Sequence, residues 1–216
     1  MKQAIIVANG RMDAPTDISS YIKASAFVIA ADGGVHHCIT LGIQPNIIIG
    51  DLDSTSQDEL AAYREASVEV IQYPTRKDAT DLELALTYAK DHGVTDVIIL
   101  GGLGARWDMT MANILMISHP LYAMMNMRFL DGTQELFLLR AGERSAIHGY
   151  PGDILSLIPL VGDVSGVTTD GLEYPLNDET LEFGTSRGIS NVLVMVQAFV
   201  FIKQGLLLCV VNRARK

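Results

Sequence analysis

The stretch Asn46-Ile47-Ile48-Ile49-Gly50-Asp51-Leu52-Asp53-Ser54 decides the reading of this chain. Its apolar residues are consecutive rather than alternating, as in a strand buried on both faces, and it stops at glycine followed by acid. The same grammar recurs on either side. Ala4–Ala8 ends at Asn9-Gly10, Phe27–Ala31 at Asp32-Gly33-Gly34, and Val97–Leu100 at Gly101-Gly102, with Val68–Gln72 between. Helical patterns separate these runs. Leu82, Ala85, Leu86 and Ala89 stand at i, i+3, i+4 and i+7, behind the capping sequence Thr80-Asp81-Leu82-Glu83. A second helix is predicted from about Trp107 to Ile117, before Pro120, and a third from a Ser54 or Ser56 cap toward Arg64. Strand and helix in alternation predict an α/β domain over residues 1–140, with a doubly wound, mostly parallel sheet.

After about Asp131 the texture changes. Short strand-like runs recur at Glu135–Leu139, Asp153–Pro159, Val164–Thr168, Leu172–Leu176, Val192–Ile202 and Leu206–Val211, without an amphipathic helix among them. This predicts an all-β sandwich domain over residues 141–216, with the boundary near Arg140–Ser145.

Composition narrows the function. With 49% hydrophobic and 19% charged residues in 216, a disordered chain is excluded. A net charge of −9 repels a nucleic-acid backbone, yet tolerates a small polyphosphate that arrives with Mg²⁺. Cys38 and Cys209 lie in no CxxC pattern, and the histidines are scattered, so neither a zinc site nor a disulfide framework is indicated. Ala4–Ala8 is too short an apolar run for a signal peptide. Val192–Ile202 falls short of the ~20 residues of a membrane helix. The expected location is the cytoplasm.

Polar residues gather where the predicted strands end, the edge at which open α/β sheets bind ligands. Asp51 and Asp53, two apart in extended chain, project the same way and need a cation or proton between them, which suits Mg²⁺ with substrate phosphates. They serve equally as turn and cap residues. Asp78 and Asp81 flank Thr80 at a helix start, beside Arg76 and Lys77; helix capping and a metal–phosphate complex both fit. Gly101-Gly102-x-Gly104 is either a phosphate loop or a plain strand-to-helix turn, followed by Arg106, Trp107 and Asp108. No Ser/His/Asp or Cys/His set can be drawn, so the chemistry reads as metal-assisted phosphoryl transfer.

Ala31-Asp32-Gly33-Gly34, Gly50-Asp51-Leu52-Asp53-Ser54, Lys77-Asp78-x-Thr80-Asp81-Leu82 and Gly104-Ala105-Arg106-x-Asp108 with Asn113 resemble, in order, the thiamine pyrophosphokinase family. Ser156-Leu157-Ile158-Pro159, Gly171-Leu172-Glu173-Tyr174-Pro175-Leu176 and Gly184-Thr185-Ser186 through Ile189-Ser190-Asn191 extend the likeness across nearly the whole chain. The resemblance implies an ATP-binding α/β domain, a thiamine-binding β-sandwich, and a homodimer with active sites between subunits. It implies transfer of pyrophosphate from ATP to thiamine, with Asp51, Asp53 and Asp81 holding Mg²⁺. Lys77 would offset phosphoryl charge, and Asp53 or Asp81 would accept the hydroxyl proton. Asp32, Gly33, Asp78, Thr80, Arg106, Asp108 and Asn113 would line the ATP side, and Ser190 and Asn191 would contact thiamine. The chain departs from the family pattern at Ala105 for a glycine, Met109 for a histidine and Val192 for a glutamate. Two other readings stand beside this one. A pyrophosphokinase for another small alcohol, such as a hydroxymethylpterin, would share the first half. A nucleotide- or thiamine-binding regulator would keep the site without turnover.

Overall fold

The computed structural model describes residues 2–15, 18, 21–23, 26–104 and 106–214. The chain divides into two compact units, Met1–Gly132 and Thr133–Lys216.

The first unit contains strands β1 (Lys2–Val7), β2 (Phe27–Ala31), β3 (Ile47–Gly50), β4 (Glu69–Gln72), β5 (Val94–Leu100) and β6 (Asn126–Asp131). Helices α1 (Gly34–Leu41), α2 (Gln57–Glu65), α3 (Asp81–Asp91) and α4 (Trp107–Met116) alternate with them. The strand order is β6-β5-β1-β2-β3-β4, and every pairing within it is parallel. Such strands are covered on both faces, hence the unbroken apolar runs. Ile5, Val7, Val28, Ala30, Ile48, Ile98 and Leu100 share one cluster with Val35 and Cys38 of α1 and Leu60 of α2. The alternate positions Ile6, Ile29, Ile47 and Ile99 are fully buried too, facing the other way. There α3 packs on β1, β2, β3 and β5, with Leu82, Ala85, Leu86 and Ala89 all buried, as their spacing predicts.

The helix starts follow the predicted grammar. Of the two candidate serines, Ser56 caps α2, in a complete capping box with Glu59. Thr80 accepts the Glu83 backbone N–H at 3.2 Å. The absence of β6 from the sequence reading has a local cause: Asn126-Met127-Arg128 breaks the apolar run, and only pairing with β5 makes the segment a strand.

The second unit is two antiparallel four-stranded sheets. One orders β12 (Asn191–Val192), β9 (Ile154–Pro159), β14 (Leu206–Asn212) and β7 (Gln134–Arg140). The other orders β11 (Glu179–Leu181), β10 (Val164–Asp170), β13 (Gln197–Phe201) and β8 (Arg144–His148). Inward residues of both, including Phe137, Leu157, Val167, Val200 and Cys209, form one core, the sandwich expected from the turn spacing. β7 belongs here through its pairing with β14, whereas the sequence reading assigned residues 133–140 to the first domain.

Two segments differ from expectation. Leu172–Leu176 forms no strand; Leu172 makes one bridge to Leu193, and Pro175 offers no N–H. Val192–Ile202 is not continuous. It turns at Val194–Val196, where Val194 donates to Gly171 O at 3.0 Å and Val196 O accepts from Gly149 at 3.0 Å. Those three side chains are exposed.

Candidate active site

β2 and β3 are parallel neighbours, so the residues that follow them emerge side by side. Asp32 N donates to Ile49 O at 2.8 Å. A Cβ at Gly50 would lie 3.0 Å from the Asp32 Cα, tighter than ordinary van der Waals contact, so glycine relieves crowding where the two strand ends approach. The result is a carboxylate cluster: oxygens of Asp32, Asp51 and Asp53 lie within 4.8 Å of one another. Asp32 is 9% exposed and accepts from Ser54 Oγ at 3.1 Å and Asn9 Nδ2 at 3.4 Å.

Asp51 and Asp53 converge by a route other than extended chain. Between them the buried Leu52 sits in the left-handed region at φ 61°, and Asp53 N turns back to Asp51 Oδ1 at 3.4 Å. Asp32 (φ 47°) and Ser190 (φ 60°) share that unfavourable conformation. Such strain in non-glycine residues gathers at functional sites.

Lys77 joins this cluster to the start of α3. Its Nζ lies 3.1 Å from Asp51 Oδ2 and 2.9 Å from Asp81 Oδ1. Burial alone would raise the Asp51 carboxyl, but the Lys77 hydrogen bond, the Asp53 N–H and the Lys77 charge outweigh it and hold Asp51 below the ordinary range. Burial likewise opposes the Lys77 charge, and hydrogen bonds to Asp81 and Asp51 hold the ammonium above its usual value. Asp53 is exposed; the Asp51 charge, partial desolvation and the Asp32 charge push its carboxyl up. Three carboxylates whose oxygens converge, held in one place by backbone geometry, fit a hard divalent cation. The sequence reading set Asp81 in the metal group; here Asp81 meets the cluster through Lys77, while Asp32 stands in the carboxylate triad. Asp78 is exposed beside it.

β1 lies between β5 and β2, and the chain order reverses there. The crevice at such a reversal is where doubly wound sheets bind ligands. Its walls are the turns after β1 and β5, locked together by Gly10 N to Gly101 O at 2.9 Å and Ala8 N to Leu100 O at 2.8 Å. Buried Asn113 reaches from α4 to donate to Gly102 O at 2.7 Å, so it supports the glycine turn from behind. Arg106 and Asp108 are exposed at the start of α4 and paired with each other. Asp108 is held below the ordinary range by the Arg106 hydrogen bond. Ala105 lies outside the described residues. Gly33 precedes α1, and His36 and His37 behave as helix residues, His37 Nε2 meeting Gly10 O at 2.8 Å.

In the second unit the Asn191 side chain is 9% exposed and fully engaged. Its Oδ1 accepts from Tyr174 N at 3.0 Å and its Nδ2 donates to Tyr174 O at 2.7 Å. Ser190 N donates to Ser156 Oγ at 3.1 Å. Three predicted segments, around Ser156, Tyr174 and Ser190-Asn191, thus meet, with the Tyr174 ring exposed.

Comparison with known proteins gives the same division. Residues 18–129 match the thiamin pyrophosphokinase catalytic domain, and residues 145–207 match the thiamin pyrophosphokinase vitamin B1 binding domain. This chain belongs to the thiamin pyrophosphokinase family. A thiamine pyrophosphokinase of Bacillus subtilis is 28% identical over 210 residues, 97% of this chain and 98% of that one. A thiamine pyrophosphokinase of Oryza sativa is 26% identical, over 88% of this chain and 80% of its own length. The crystal structure of the B. subtilis protein superposes with a TM-score of 0.86 at 26% identity, covering 99% of this chain and 100% of that chain. That of the yeast thiamin pyrophosphokinase, at 20% identity and TM-score 0.75 over 98% and 86% of the chains, shares the fold.

Asn9 and Ser54 both bind Asp32, and neither is among the predicted site residues, although Ser54 stands in the Gly50–Ser54 motif. Asn9 carried a signal: Asn9-Gly10 ends an apolar run, as Asp32-Gly33 and Gly50-Asp51 do. Met109 and Val192, where the family pattern differs, are both half-buried.

Proposed function

We propose that this chain transfers the pyrophosphoryl group of ATP to the hydroxyl of thiamine, giving thiamine diphosphate and AMP. The observation that carries the reading is the Asp32–Asp51–Asp53 cluster, set on the ligand-binding edge of a catalytic-domain sheet. The vitamin B1 binding match over residues 145–207 favours thiamine over a pterin alcohol as acceptor.

Asp32, Asp51 and Asp53 would hold Mg²⁺, and a bound Mg²⁺ supplies positive charge against the phosphoryl oxygens in a reaction governed by positioning and electrostatics. Lys77 holds Asp51 and Asp81 at fixed distance and contributes charge at the same place. Asp53 or Asp81 takes the proton of the thiamine hydroxyl as it attacks the β-phosphorus, and AMP leaves. Gly33, Asp78, Thr80, Arg106, Asp108 and Asn113 serve the nucleotide: Arg106 and Asp108 by contact, Asn113 by holding the Gly102 turn. Ser190 and Asn191 serve thiamine, Asn191 by fixing Tyr174.

The proposal includes a homodimer with active sites at the subunit interface. Support comes from α4, whose Trp107, Met111 and Leu115 lie at i, i+4 and i+8 and are exposed. ATP as co-substrate supports a cytoplasmic location, and no described helix is long and apolar enough to cross a membrane.

The test is an assay for AMP with thiamine, with a hydroxymethylpterin and with no acceptor, each with Mg²⁺ or EDTA. AMP should form only with thiamine and Mg²⁺. AMP with the pterin alone would reassign the acceptor, and binding of ATP without AMP under any condition would make the chain a regulator.

A further inference from the structure

A buried charge cluster in the second unit lies apart from every group assigned above. Asp153 is 1% exposed and Glu135 4%. Arg213 serves both. Its Nη2 donates to Glu135 Oε2 at 2.8 Å, and its Nη1 stands 3.9 Å from Asp153 Oδ2 and donates to His148 O at 2.8 Å. Asp153 also accepts two backbone N–H groups, Tyr150 at 2.9 Å and Ala214 at 2.8 Å. One carboxylate therefore ties the turn between β8 and β9 to the residues after β14. A carboxylate so deeply buried persists only when it is paired and hydrogen-bonded.

The cluster supports what comes next along β9. Asp153 O accepts from Leu193 N at 2.8 Å, and Gly152 N donates to Leu193 O at 2.9 Å. Directly after Asp153, Ile154 and Leu155 pair with Val192 and Asn191. Asn191 in turn holds both backbone groups of Tyr174. A continuous line of contacts runs from Arg213 to Tyr174: an ion pair to Asp153, the β9 pairing with Asn191 and Val192, and the Asn191 hydrogen bonds to Tyr174.

We propose that Arg213 and Asp153 are a positioning pair for the thiamine loop, setting where Asn191 presents Tyr174. The inference rests on the reading of Ser190-Asn191 as the thiamine-contacting segment. Every member of the line lies in the unit Thr133–Lys216, which carries the vitamin B1 binding match, so the expected effect of the pair is on thiamine.

Steady-state kinetics test this on wild type, Arg213→Met, Arg213→Lys, Asp153→Asn and Asn191→Ala, at a temperature where circular dichroism shows each folded. A misplacement of about 1 Å through a distant change can cost ~10²-fold, and a smaller shift less, so the thiamine KM should rise by about tenfold or more in Arg213→Met and Asp153→Asn. The ATP KM should not change. Arg213→Lys keeps the charge, loses the two-armed contact, and should fall between. Should Arg213→Met fail to fold, Arg213→Lys and Asp153→Asn carry the same comparison. An equal rise in both KM values, or a loss confined to kcat, overturns the pair's role. A raised thiamine KM in Asn191→Ala alone overturns the pair but keeps the loop reading. An unchanged thiamine KM in Asn191→Ala overturns both.

Discussion

Lys77 and Asp51 are 26 positions apart in the chain and 3.1 Å apart in space. The ammonium is 13% exposed and the carboxylate 14%, so water screens little of their attraction. The contact joins the end of β3 to the residues that lead into α3. It gives Asp51 two tasks, one toward Lys77 and one toward Asp32 and Asp53.

Asp51→Asn and Asp53→Asn should each lower turnover by ~10³-fold or more, the scale of losing a metal ligand in the transition state. The exposed Asp53 carboxyl is pushed up by its acidic neighbours, so Asp53→Asn should fold as stably as wild type in EDTA. Thermal unfolding with and without Mg²⁺ checks this. Wild type should gain Tm with Mg²⁺ and the variants should not; near-normal turnover in both would remove the metal assignment.

Stability in EDTA should be flat with respect to the Asp51–Lys77 pair from about pH 5 to 9, between the unfolded values of ~3.9 and ~10.4. Asp51 is held low in the fold, so its contribution is present above its unfolded value and is lost as pH falls through the folded one. Lys77 is held high, so its contribution is present below its unfolded value and is lost as pH rises through the folded one. Urea midpoints across pH should therefore slope at both ends. Lys77→Met should flatten both slopes; an unchanged acid slope would show that Lys77 does not set the Asp51 carboxyl.

Asp81→Ala separates capping from catalysis. Thr80 already supplies the cap. A carboxylate in the first helical turn adds ~0.3–1 kcal/mol. Turnover should fall ~10²-fold or more, the range of a lost acid–base group. A variant that melts early and turns over normally would restore a structural role.

Arg106→Ala and Asn113→Ala distinguish contact from support. The Arg106–Asp108 pair is exposed, and its loss should change stability by less than ~0.5 kcal/mol while raising the ATP KM. Asn113 is buried and holds Gly102, so Asn113→Ala should cost ~1–3 kcal/mol as well as ATP affinity. Equal stabilities for the two variants would contradict this division.

Subunit sharing is tested by co-expressing Asp81→Asn with Asn191→Ala. Random pairing makes about half of the dimers mixed, each with one intact site if the site is shared, so activity should return to about a quarter of wild type. No recovery in proven heterodimers would place each site within one chain.

Much of this was legible in order along the chain. Unbroken apolar runs ending in glycine and acid marked β2 and β3, because a strand buried on both faces leaves no room for polar residues until it ends. The Leu82–Ala89 spacing marked α3 because one helical face must bury. Those signals are local, and local sequence records them. The acidic motifs at the strand ends were legible for the same reason, and they located the candidate site.

The partners of those acids were decided by the tertiary structure. Asp32 and Asp51 are neighbours only because β2 and β3 pair in parallel at one register, and Asn9 joins them only because β1 lies beside β2. Lys77 lies next to Asp81 in the reading of a helix start, and its bond to Asp51 requires the sheet between them. The Val192–Ile202 run shows the converse: apolar character alone wrote one strand, and long-range bonds to Gly171 and Gly149 bent it into two. Sequence carries what each residue prefers along its own chain segment. Which carboxylate meets which cation depends on contacts between segments far apart in the chain, and only the folded sheet brings those together.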